Sequence, residues 1–284
     1  MKRYRNSSDE LYGMFELMEE RFFKWIPSKE YKYYLEESIR LGKEAGRKFK
    51  NKDLIEIMKK DQVEVRYRTE ERNLNPLYQM KSQICFEKKN RYLDLYMNEI
   101  KKQCNSVKRV EPEINLEWLK NLHIAHEFYH FLEFSQDQRT GELLKPVERK
   151  GMFRTQKVCL QSVSEIAAHS FAKEYMGADI NPKYFDCLYI SIENKSYFEK
   201  IMNNIETARL LVERSLKNEK IMEHFNDLPD SCLGRRCFLP GIQQISWLHG
   251  KNNTGICSYP PSGAWHVPLS SDYPVCQPEA GTFT

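Results

Sequence analysis

Long apolar runs are missing from this 284-residue chain. No stretch approaches the roughly 20 residues that a bilayer-spanning helix requires, and the mean hydropathy is −0.69, so a membrane protein is not expected. No excess of one charge is present either: 44 lysines and arginines stand against 40 aspartates and glutamates, for a net +4. Basic pairs such as Lys59-Lys60 and Lys88-Lys89 alternate with acids, which is the pattern of a solvated face. With no helix-turn-helix signature beside them, direct nucleic-acid binding is not expected. The basic start, Met1 to Arg5, has no apolar segment behind it, so no export signal is read and a cytoplasmic location is expected. A disulfide framework is lacking too, because Cys85, Cys104, Cys159 and Cys187 are scattered and read as reduced thiols.

What is present is a pentapeptide, His126-Glu127-Phe128-Tyr129-His130, inside an apolar stretch from Trp118 to Phe134. Leu119, Leu122, His126, Tyr129 and Leu132 recur at helical spacing, with Asn115 placed to cap the start. Histidines at i and i+4 rise on one face of a helix, so both imidazoles can reach one Zn²⁺, and the intervening glutamate can take a proton from water. A catalytic zinc needs three protein ligands and an open position. The extended motif with a glycine and a third histidine is absent, since Glu133 and Gln136 occupy those positions. His123 shares the face, but three donors strung along one helix converge poorly on a tetrahedral ion. Glu165 on a second helix is the better third ligand. Leu160, Val163, Ala167 and Phe171 form an apolar stripe there, and Ala168, His169 and Ala172 share the face of Glu165. Small alanines permit close approach to the first helix, and a carboxylate on such a surface needs a partner.

The segment Ile124 to His130, followed by Glu165, Ala168, Phe171 and Ala172, resembles the ImmA/IrrE family of cytoplasmic zinc metallopeptidases, many of which cleave repressor proteins of mobile elements or stress regulons. The resemblance covers about Leu54 to Met176. It implies a zincin-like fold, one Zn²⁺ ligated by His126, His130 and Glu165, and Glu127 as general base. It also implies a protein substrate, such as a transcriptional repressor or antitoxin encoded nearby. The chain departs from the family at His169, four residues after the ligand glutamate, where asparagine or aspartate is common. His169, Tyr129 and Tyr175 remain open as stabilisers of the transition-state oxygen. The alternative is a partner-binding regulator of the same fold whose metal site is structural or idle.

The rest of the pattern predicts an α+β fold. Ser7 to Glu10 opens like a capping box, and Leu11, Phe15, Met18, Phe22 and Trp25 predict a helix that stops at Pro27. Further helices are expected from Lys29 to Phe49, Lys52 to Lys60 and Lys195 to Asn218, the last with a stripe of Phe198, Ile201, Ile205, Ala208 and Leu211. Gln62 to Arg68, Ser82 to Glu87 and Arg91 to Asn98 alternate as strands of a small mixed sheet, with Val63, Val65 and Tyr67 on one face and Leu93, Leu95 and Met97 on another. An exposed edge of such a sheet suits the capture of an extended peptide. The expected organisation is N-terminal helices over 1–50, a zincin-like metallopeptidase domain with C-terminal helices over 51–230, and an atypical tail over 231–284. That tail holds half of the 12 glycines, half of the 12 prolines, and Cys232, Cys237, Cys257 and Cys276, whose spacing fits a zinc module poorly. It is expected to be poorly ordered. Oligomeric state is not legible.

Overall fold

The computed structural model describes residues 1–69, 80–86, 90–150 and 154–216. The predicted tail over 231–284 lies outside them. The elements in order are α1 (Asp9–Glu19), α2 (Tyr31–Phe49), α3 (Leu54–Lys60), β1 (Val63–Arg68), β2 (Ser82–Phe86), β3 (Arg91–Tyr96), α4 (Met97–Val107), α5 (Leu116–Ser135), α6 (Thr140–Leu143), β4 (Val147–Lys150), β5 (Thr155–Val158), α7 (Ser162–Met176), α8 (Pro182–Glu193) and α9 (Lys195–Leu216). The fold is mixed α+β, as expected. Among the described residues no helix is long and apolar enough to cross a membrane, and the four cysteines there are free thiols.

Helix α5 forms where its signals lie. The Asn115 side chain accepts from the Trp118 amide at 2.8 Å, which satisfies one of the orphan donors of the first turn. The helix then buries nearly all of its circumference, with Leu119, Ala125, Phe128 and Phe131 at or below 1 % exposure.

Helix α7 is held at both ends and along its length. It closes on Gly177 in the left-handed region (φ 61°), where glycine carries no Cβ penalty. Along its length it meets α2 at Gly42 and Gly46, one turn apart. A Cβ on Gly42 would lie 2.2 Å from the carbonyl oxygen of Ala167, and one on Gly46 2.8 Å from Cβ of Glu174. Backbone therefore lies against side chain and backbone here, and this contact fixes where α7 presents Glu165.

The N-terminal end of α7 explains a departure from the sequence reading. The first helix was expected to reach Trp25, but α1 ends at Glu19 and Glu20 is extended (ψ 133°). The Glu20 carboxylate instead accepts from the amides of Gln161 and Ser162, at 2.8 and 3.0 Å. It supplies a negative charge to the start of α7, whose own N-cap residue, Gln161, makes no side-chain cap. Beyond it, Phe23–Trp25 folds as a short 3-10 turn.

The three-stranded sheet has the order β1-β3-β2, with β1 parallel and β2 antiparallel to β3. Strand β2 is thus an edge, and it lies against α5. Two expectations fail at the sheet margins. Met97 does not extend β3 beside Leu93 and Leu95 but opens α4. Tyr67 does not share the burial of Val63: it is 53 % exposed at the far end of β1, where the cover given by α3 at the start of the strand has run out. The hairpin β4-β5, α6 and α8 were not anticipated. For α8 the signal was there, since the Asn181 side chain caps the Lys183 amide and Pro182 occupies the first turn.

One hydrophobic core joins these parts. Leu17 of α1, Leu35 of α2, Met58 of α3, Leu95 of β3, Phe128 of α5, Phe171 of α7 and Ile205 of α9 all belong to it, so the N-terminal helices and the HExxH helix bury their apolar faces together. In α9 the stripe is buried at Ile201, Ile205, Ala208 and Leu211, while Phe198 is 40 % exposed.

Candidate metal centre

Helices α5 and α7 bring His126, His130 and Glu165 together. The two Nε2 atoms are 3.3 Å apart, His126 Nε2 is 3.2 Å from Glu165 Oε2, and His130 Nε2 is 3.4 Å from Glu165 Oε1. Metal–ligand bonds of about 2.0–2.2 Å at tetrahedral angles place ligand atoms about 3.3–3.5 Å from one another. The spacing and the donor set, two imidazole nitrogens and a carboxylate, therefore fit a zinc ion. Among the described residues this is the one group of three or more His, Cys, Asp or Glu side chains whose ligand atoms lie within 4.8 Å of each other.

Electrostatics follow from that convergence. Burial by itself raises the pKa of Glu165, but the facing imidazoles of His130 and His126 outweigh it and hold the carboxyl well below its usual range. Burial likewise works against a charge on His130, yet Glu165 and Glu133 lift it well above an ordinary histidine. An ion bound there would displace the proton of His130.

Glu127 is held by the sheet. Its carboxylate, 1 % exposed, accepts from Ser82 Oγ at 2.7 Å and from the Ile84 amide at 3.0 Å, both on the edge strand β2. The Ile84 N–H therefore points away from β3, and so do the other even-numbered main-chain groups of β2. The Glu127 carboxylate thus ties α5 to the edge strand β2.

Two of the three residues considered for the transition-state oxygen have their hydroxyls engaged elsewhere. Tyr129 Oη meets Thr140 Oγ1 at 2.8 Å. Tyr175 Oη donates to the carbonyl of Lys52 at 2.9 Å, and it sits ten residues beyond Glu165, about 15 Å along the helix. His169 is the one that stays close, with its ring 4.7 Å from that of His126. Burial, His126 and Lys183 press its pKa well below normal and keep it neutral. Its Nδ1 lies 3.7 Å from Glu16 Oε1, which in turn pairs with Lys183 at 2.5 Å. His123 turns away from the cluster: its Nε2 meets Gln103 Oε1 at 2.9 Å, and Gln103 Nε2 donates to Asp186 at 2.9 Å.

Sequence reading missed Glu133. It stands in the place of the glycine of the extended motif, and its Oε2 is 3.0 Å from Nδ1 of His130, on the far side of the ring from the other donors. The signal was its i+3 spacing from a proposed ligand on the same helix.

Comparison with known proteins adds nothing to this geometry: no protein-family model, curated protein or solved structure matches the chain.

Proposed function

We propose that the chain is a zinc-dependent endopeptidase of the ImmA/IrrE kind, acting on a protein substrate such as a repressor or antitoxin encoded nearby. The observation that carries this reading is the convergence of His126, His130 and Glu165 from two helices at tetrahedral ligand spacing. When bound there, zinc would supply a Lewis acid that polarises a peptide carbonyl and acidifies water. Glu127 is the general base: it takes the proton of the attacking water and returns it to the leaving amine. Ser82 and the Ile84 amide hold that carboxylate in place. An extended substrate would lie along β2, whose outward main-chain groups run past Glu127.

A second reading draws on the same two contacts. A glutamate whose oxygens both accept from β2 also serves as a structural tie between sheet and helix, and the protein would then bind and sequester its partner with the metal idle. Metal analysis of the purified protein, followed by incubation with the adjacent regulator and mass spectrometry of fragments, separates the two. Zinc with defined cleavage that Glu127→Gln abolishes supports the peptidase; zinc with an intact partner supports sequestration.

A further inference from the structure

A carboxylate that is nearly out of contact with solvent must be matched by donors, and the donors around Glu133 are particular ones. Its Oε2 faces His130 Nδ1 at 3.0 Å. Its Oε1 accepts from the Thr140 amide at 2.8 Å and from Ser164 Oγ at 2.9 Å. Glu133 itself is 4 % exposed. Ser164 is the residue immediately before Glu165, so one carboxylate touches both a proposed ligand on α5 and the neighbour of a proposed ligand on α7.

We infer that Glu133 is a positioning residue for the metal centre, which fixes the orientation and tautomer of His130 with one oxygen and the register of α7 beside Glu165 with the other. The inference rests on the metal reading above. With an ion held by His126, His130 and Glu165, the His130 ring would keep its one proton on Nδ1, and Glu133 Oε2 is placed to accept it. The Nε2 lone pair would then be left for the ion, as ligation requires. Outer partners of this kind set ring orientation and ligand basicity, and their loss costs metal affinity. Thr140 completes the arrangement: its amide is held by Glu133 and its hydroxyl meets Tyr129, one residue before His130.

The test uses the full-length protein and Zn²⁺ in competition with a chromophoric chelator. Glu133→Gln keeps the volume and leaves a carbonyl for Thr140 and Ser164, but presents an NH₂ to Nδ1, which drives the His130 proton onto Nε2. We expect it to weaken zinc binding about 10–100-fold and to alter the visible spectrum of the Co²⁺-substituted protein. The melting temperature of the metal-free protein should move little. Ser164→Ala, which spares the Nδ1 contact, should weaken zinc by a smaller factor. Wild-type zinc affinity and an unchanged cobalt spectrum in Glu133→Gln would overturn the inference. Should the variant not fold, ¹⁵N spectra of zinc-loaded wild type decide: a proton on His130 Nδ1 supports the assignment, and a proton on Nε2 overturns it. A wild-type protein that binds no zinc overturns the metal reading first, and this inference with it.

Discussion

Helix α7 carries a buried polar cluster at each end, and the two are built differently. Towards its C-terminus Lys173 meets Asp9, which also accepts from Lys43 and Asn181, at 2.8, 2.8 and 3.1 Å. That cluster brings its own cations, and burial of the Asp9 carboxylate is outweighed by the two lysines, which hold its pKa below normal. Towards its N-terminus Glu165 meets His126 and His130, and every one of these groups can offer a lone pair to the same cation. One end of the helix is a closed ion-pair network and the other is a group of side chains that could hold a metal ion. Burial and charge alone do not distinguish them; the chemistry of the partners does.

The comparison breaks most sharply at the ligand end. His126→Ala is expected to lose both zinc and hydrolysis. Glu127→Gln is expected to keep stoichiometric zinc while hydrolysis falls by at least about 10²–10⁴-fold, the usual contribution of a general base. Metal analysis beside a cleavage assay reads both, and a cleaving Glu127→Gln protein would remove Glu127 from its role.

Next in size is the contact that serves both ends. Gly42→Ala puts a Cβ 2.2 Å from the Ala167 carbonyl oxygen, so α2 must move off α7. A loss of about 3 kcal/mol in urea unfolding is expected for such overpacking, with weaker zinc binding because Glu165 rides on the displaced helix. Asp9→Ala should separate the ends. It removes a buried carboxylate but leaves two lysines, 33 % and 20 % exposed, which can turn to water. That exposure reduces the expected destabilisation to about 2 kcal/mol, and zinc affinity should stay within about twofold because the ligands lie two turns away.

The difference between the ends also decides what was legible. The HExxH helix announced itself through Asn115 and a regular apolar period, and Glu165 through the small residues around it, because those signals are local. Glu133 did not, since its role depends on Thr140 and Ser164, which reach it only in the folded chain. The end of α1 was misread for the same reason: the amides that draw Glu20 out of the helix are more than 140 residues away in sequence. Tyr129 and Tyr175 stood near the motif in sequence, but Thr140 and the Lys52 carbonyl take their hydroxyls. Met97 continued an alternating pattern that the chain itself abandons for a helix.

The smallest expected effect concerns the histidine that the metal cluster leaves aside. His123 is pushed down to about 3, chiefly by burial and only partly offset by Asp186. Its neutral ring donates from Nε2 to Gln103, whose amide is already committed to Asp186. Above pH 6.5 folded and unfolded chains both hold it neutral, and its stabilisation is complete. Between about 6.5 and 3 the unfolded chain binds a proton that the fold refuses, so stability falls as pH drops, by up to about 1.4 kcal/mol per pH unit. Urea unfolding of metal-free protein at pH 7.5 and 5.5 should therefore show wild type losing about 1 kcal/mol more than His123→Gln, which retains a donor for Gln103. Equal losses would mean that the ring takes up its proton in the folded state.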